Sequence, residues 1–145
     1  MKLLTICLLL VLVGWVYVRF APADNAKFHV DATLAKSPRN GGYRTSFDTL
    51  FSPDKILNEI DKIAKNTLKT THLVGSIETG RITYVSRSAV IGFPDYITVQ
   101  AAATDTGSTV TILSRLRFGA NDLGVNKARV QTWIKRLQGL GLIKE

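Results

Sequence analysis

The densest chemistry in this sequence lies where Ser114-Arg115-Leu116-Arg117 is followed by Gly119-Ala120-Asn121-Asp122-Leu123-Gly124-Val125-Asn126 and then Arg129. In an extended segment Arg115 and Arg117 point to the same side, because side chains alternate along a strand. Asn121 and Asp122 are both favourable helix N-caps. Asn126 and Arg129 follow Asp122 at four and seven residues, so a helix starting there carries all three on one face. Two chemistries fit this pattern. An Asp122–Arg115 or Asp122–Arg129 ion pair would lock strand to helix. Alternatively, Arg115, Arg117 and the positive helix N-terminus would hold an anion or a lipid headgroup.

A shorter echo precedes it. Ser86-Arg87 with Gly92-Phe93-Pro94-Asp95 parallels Ser114-Arg115 with Gly119-Ala120-Asn121-Asp122. At equivalent strand ends the two would gather Arg87, Asp95, Arg115 and Asp122 at one rim of a sheet. Nearby arginines would keep both carboxylates ionised, which suits ion pairing better than general acid catalysis. The chain carries no G-x-S-x-G and no Walker-type G-x-x-x-x-G-K-[ST], and no cysteine–histidine pair in the domain. His29 and His72 lie far apart without metal-ligand spacing, which argues against a protein-built zinc site. Ser76 beside Gly75 reads as packing, and His72 as a half-exposed structural histidine. No catalytic residue, metal ligand or cofactor site is therefore nominated.

The run S-R-x-x-x-G-x-x-D-L-G-V-N-x-x-R-V, read here from Ser114 to Val130, resembles the signature of the domain-of-unknown-function family fourteen ninety-nine. The resemblance extends more loosely through Phe93-Pro94-Asp95, Arg87 and Phe51, over most of the chain after Thr45. Many members carry a P-N-C-V-S-S-like segment before the domain. Here Ser37-Pro38-Arg39-Asn40-Gly41 has no cysteine, so no role tied to that cysteine passes to this chain. The resemblance implies small, often membrane-anchored bacterial proteins in which the Arg115–Arg129 junction is a shared feature of the fold. It implies no activity.

These residues need elements to position them. Ser52-Pro53-Asp54 opens a helix with a serine N-cap, proline at the first position and an acid in the first turn. Ile56, Leu57, Ile60, Ile63 and Ala64 continue it at helical spacing. The pattern then turns to β over Thr70–Ile77, Arg81–Ala89, Tyr96–Ala103 and Thr109–Arg117, broken at Gly80, Gly92-Phe93-Pro94 and Asp105-Thr106-Gly107. Val130, Trp133, Ile134 and Leu137 make a second helical stripe within Val125–Gln138, which Gly139 stops. With a short strand over Ser46–Phe51, the expected fold is α+β: a β-α-β-β-β-β-α domain, an antiparallel sheet with both helices on one face.

The N-terminus is of another kind. Leu3 to Val18 is free of charge, with Lys2 before it and Arg19 after it. As a helix it spans about 24 Å against a hydrocarbon core of about 30 Å. Trp15, Tyr17 and Phe20 sit at its exit, where an aromatic belt belongs. An uncleaved membrane anchor is the favoured reading. A cleaved signal is the alternative, because Ala21-Pro22-Ala23 offers an A-x-A site, though with proline in its middle. The expected division is an anchor at 1–20, a linker at 21–45 and the domain at 46–145. A short basic N-terminus favours N-in, which puts the domain on the extracytoplasmic side of a bacterial inner membrane, or in the periplasm after cleavage.

The only cysteine, Cys7, lies inside the apolar run, so no intramolecular disulfide can form. Net charge is +8, concentrated in the last quarter, where Arg115, Arg117, Lys127, Arg129, Lys135, Arg136 and Lys144 oppose Asp122 and Glu145. In an extracytoplasmic domain that field favours anionic headgroups or an acidic protein over nucleic acid. The expectation is a non-enzymatic binding or envelope module, the alternatives being an enzyme on an envelope substrate at the Arg/Asp rim and an apolar-ligand domain.

Overall fold

The computed structural model describes residues 2–88 and 91–144. The expected end of the third strand at Ala89 lies outside the described residues, as does Glu145. A helix, α1 (Lys2–Phe20), is followed by the single turn α2 (Asn25–Phe28), then β1 (Gly42–Thr49), α3 (Pro53–Lys65), β2 (Thr70–Ser76), β3 (Arg81–Arg87), β4 (Pro94–Thr104), β5 (Gly107–Leu116) and α4 (Val125–Gly139). The five strands form one antiparallel sheet in the order β1-β5-β4-β3-β2. The meander β2 to β5 is thus as expected. The first strand begins at Gly42 rather than Ser46 and pairs along the free edge of β5.

Local chemistry sets both long domain helices. The Ser52 side chain accepts the Lys55 amide at the start of α3, with proline in its first turn. At the end of α4 the stop falls beyond Gly139. The helix runs through that residue, and the chain reverses at Gly141 in the left-handed region, where the Leu142 amide returns to the Leu137 carbonyl at 3.0 Å.

α3 and α4 cover one face of the sheet. Ile56, Leu57, Ile60 and Ala64 from α3 and Val130, Trp133 and Leu137 from α4 meet Ile82, Tyr84, Ile97, Val99, Val110 and Ile112, all buried. Tyr84 and Trp133 pack edge to face at 5.9 Å, each with its polar tip satisfied: Tyr84 donates to Asp61 and the Trp133 indole to Thr67.

The opposite face is also covered, by the segment 21–41. This stretch, expected as part of a linker at 21–45, makes the turn α2, capped by Asp24, which aims Phe28 at the sheet. The Phe28 ring stacks on Tyr96 at 3.7 Å and 12°. Polar groups of the face hold the same segment. Thr98 donates to the Phe28 carbonyl, Gln100 accepts the Ala32 amide, and Arg44 donates to the carbonyls of Ala32 and Thr33. His29 Nδ1 lies 2.9 Å from Thr83 Oγ1. It fits there because Gly75, at φ +90 beside a bulge in β2, has no Cβ; one built there would lie 2.8 Å from the imidazole.

Candidate functional site

Strand register brings the nominated residues to one end of the sheet. Arg87 pairs with Pro94 where β3 ends, Asp95 with Leu116, and Tyr96 with Arg115 where β5 ends. Alternation divides them between the two faces. Asp95 lies on the helix side with Ile97 and Val99, whereas Arg115 lies with Leu113 and Thr111 on the side of segment 21–41.

On the helix side, Arg129 donates to Asp95 at 3.0 Å and to Asn126 at 2.8 Å. Asn126 Oδ1 also accepts the Ser114 hydroxyl. The expected pairings of Asp122 with Arg115 or Arg129 do not form. Asp122 accepts the amides of Asn126 and Gly124 instead, at 2.8 and 3.1 Å; the helix starts later than expected, with Gly124 at the N-cap position, and Asp122 satisfies one open amide of its first turn from two residues before it. The physical reason is reach. Arg129 lies one turn beyond Asn126, so its guanidinium comes back over the strand that carries Asp95, while Asp122 is already occupied by the open amides of its own helix.

The two carboxylates are shifted in opposite directions, and the expectation that nearby arginines would hold both down is not met at Asp95. Burial raises the Asp95 pKa, an effect that its contact with Arg129 only partly offsets. At Asp122 partial burial works in the same direction, but hydrogen bonds from the backbone and side chain of Asn126 and from Gly124 outweigh it and leave the pKa below its ordinary value.

On the other side the arginines bind the chain itself. Arg115 donates to the Phe28 carbonyl at 2.8 Å with its guanidinium over the Phe28 ring, and burial lowers its pKa. Arg117 donates to the carbonyls of Ala21 and Pro22, at 3.1 and 2.6 Å, and to the Tyr96 hydroxyl. Arg87 donates to the Gly92 carbonyl, while Ser88 accepts the amides of Gly92 and Phe93, closing the loop between β3 and β4. The guanidinium groups that would cradle an anion thus donate to protein atoms. His72 bonds to the Gly75 carbonyl and Ser76 to Thr79, so each serves its local turn.

Two features escaped the sequence reading. One is the docked segment with Phe28 and His29. The cover shows in the structure as a strand, Pro94–Ala101, buried on almost every residue, but the polar Asp95, Thr98 and Gln100 within it kept its sequence from reading as a strand covered on both faces. The other is an open groove of about 800 Å³ at the far end of the sheet, lined by Phe47, Leu50, Phe51, Ile134, Leu142 and Ile143 with Lys144 at its edge. Its parts come from β1 and the loop after it, the β4–β5 hairpin, α4 and the C-terminal turn, and nothing in their sequence spacing announces that they meet.

A sequence model of the family described as "Protein of unknown function (DUF1499)" matches residues 21–137. The match begins at Ala21, well before Thr45, in keeping with a segment 21–41 that is part of the folded unit. No curated protein matches the chain. Among solved structures, the fold is similar to that of a protein from Mesorhizobium loti, with a TM-score of 0.54 at 11% identity over 68% of this chain and 95% of that one. A protein from Chromobacterium violaceum gives 0.48 at 14% identity, over 69% and 96% of the two chains. A major latex protein family member from Arabidopsis thaliana gives 0.45 at 10%, over 69% and 90%.

Proposed function

The chain belongs to the DUF1499 family of proteins of unknown function, and we propose that this member is a membrane-anchored, non-enzymatic binding module. The observation that carries the reading is α1: apolar, lacking any buried residue, and long enough to cross a bilayer. At 19 residues it reaches about 28 Å, close to a hydrocarbon core of about 30 Å. The anchor is favoured over a cleaved signal because the would-be cleavage site is part of the fold. Ala21 is buried, and its carbonyl and that of Pro22 are held by Arg117. In this reading the N-terminus is cytoplasmic and the domain extracytoplasmic, at a bacterial inner membrane.

The Arg/Asp rim favours scaffolding over catalysis, since each of its arginines donates to a carbonyl or a carboxylate within the chain, although the buried Arg115 Nε has no partner among the described residues. The exposed outer face of α4, with Lys127, Lys135 and Arg136, is the surface for anionic headgroups or an acidic protein. A specific observation favours an apolar ligand as well. The distal groove falls within the size range of small-molecule sites, roughly 300–1,000 Å³, and joins the apolar side chains of Phe47, Leu50, Phe51, Ile134, Leu142 and Ile143 to a polar wall of threonines with Asp48 and Gln138.

Fractionation tests the anchor. The full chain is expected to stay with membranes through an alkaline carbonate wash, and protease added to spheroplasts is expected to degrade the domain. Release by carbonate, or protection from protease, overturns it. For the groove, a naphthalene-sulfonate dye should bind the full chain in detergent with enhanced emission that Leu142→Asp abolishes. Equal emission from both proteins removes the groove reading.

A further inference from the structure

The rim that carries the Arg/Asp junction is also where α1 enters the domain, and no slack chain separates them. The Ala21 amide continues the helix by bonding to the Tyr17 carbonyl, and Ala21 itself is only 5% exposed. Tyr17 meets Phe118 edge to face at 6.3 Å. The Arg19 side chain lies over Gly92, whose φ of +85 and missing Cβ leave room for it; a Cβ there would sit 2.8 Å from Nη1. The helix exit is thus keyed both to the β3–β4 loop and to the β5–α4 loop.

Those two loops carry apolar side chains with no partner inside the protein's core. Ile91 and Phe93 on one loop, and Leu123 on the other with Val125 at the start of α4, are exposed. Phe93, Phe118, Leu123 and Val125 line a common depression of about 190 Å³. Leu123 stands furthest out, 91% exposed, with φ +53. A residue with a Cβ is disfavoured in the left-handed region. Here it is held by Asn121, which accepts the Leu123 amide at 2.8 Å, and by Asp122, which accepts that of Gly124. Arg19, beside Trp15 and over Gly92, borders the patch, and Asp122 and Asn121 lie within it.

We infer that this rim docks on the bilayer that holds α1, with Ile91, Phe93, Leu123 and Val125 entering the headgroup layer. The inference rests on the anchor reading above. Its added ground is continuity: a spanning helix ending at Phe20 brings a rim fixed to Tyr17, Arg19 and Ala21 to the membrane surface, and the exposed large side chains presented there are apolar, with Arg19 beside them. The domain then stands in one orientation, its distal groove directed away from the lipid.

The test uses the full chain reconstituted in phosphatidylcholine vesicles, with an environment-sensitive fluorophore on single cysteines and spin-labelled lipids as quenchers. The label is placed on native Cys7, and on Leu123→Cys or Leu50→Cys in a Cys7→Ser background. Leu50 is exposed at the distal end of the sheet and serves as the reference. The expected result is deep quenching at position 7, strong quenching by headgroup-labelled lipid at 123, at least threefold above that at 50, and a blue shift at 123 alone. Deep quenching at 7 with equal quenching at 123 and 50 overturns the rim contact while leaving the anchor. Absence of quenching at 7 overturns both.

Discussion

Arg117 donates to the Pro22 carbonyl at 2.6 Å, joining the end of the last strand to the first residues after the apolar helix. The same guanidinium reaches the Ala21 carbonyl and the Tyr96 hydroxyl, so one side chain ties the helix exit to the sheet. Hydrogen bonds to a charged group contribute about 1.5–3 kcal/mol. Arg117→Leu should leave the domain folded and release residues 21–28. Amide exchange in that stretch should rise by at least tenfold, with strands β3 to β5 unchanged. Unaltered exchange there would show that Arg117 is not the clasp.

Arg129 and Asp95 form a pair that is mostly buried, each side chain 11% exposed. Removing one partner of such a pair typically costs about 3–5 kcal/mol, whereas replacing both with apolar groups is often close to neutral. Arg129→Met should therefore destabilise strongly, and Asp95→Leu with Arg129→Met much less, as read by urea denaturation of the full chain in detergent.

The single variant also has a pH signature. Burial already raises the Asp95 pKa, and loss of Arg129 raises it further. A carboxylate whose folded pKa lies above its unfolded value contributes stability below the unfolded value and loses it as pH rises. The penalty of Arg129→Met should accordingly shrink as pH falls toward 4. A penalty independent of pH would mean that the buried charge is not its source.

His29 behaves in the opposite sense. Burial, and then the nearby Arg81, lower its pKa below 6.5, so the folded state favours the neutral ring. Its contribution is complete above pH 6.5 and is lost as pH falls through the folded pKa. The thermal midpoint of the full chain should drop between pH 7.5 and 5.5. His29→Gln, which keeps a partner for Thr83 without titrating, should flatten that slope.

Arg115 distinguishes scaffold from anion site. Its contacts are the Phe28 carbonyl and ring, so Arg115→Ala should lower the melting temperature by several degrees, as expected for a loss of about 1–2 kcal/mol. Inorganic phosphate should stabilise wild type and variant alike. A phosphate-dependent rise in the wild type alone would restore the anion reading.

Much of the fold was legible because its signals are local. The cap of α3 needs only Ser52 and Pro53, the apolar stripes need only a 3.6-residue period, and the meander is punctuated by its own glycines. The candidate site was legible only as a set. Residue types and the D-L-G-V-N run marked Arg87, Asp95, Arg115, Arg117, Asp122, Asn126 and Arg129, and strand register does place them at one rim. Which of them touch was not legible, because partner choice depends on which face of the sheet each occupies and on how far α4 reaches back.

By itself, then, the sequence determined an apolar helix, two amphipathic helices and a run of β-strands, since each is set by residues near one another in the chain. Tertiary structure decided that Arg129 takes Asp95 and that segment 21–41 is a cover for the sheet. That segment is polar and aperiodic; its order comes from Tyr96, Thr98, Gln100 and Arg115, far along the chain. Only when the strands pair do those groups form a surface for Phe28, and only then is α1 fixed against the rim.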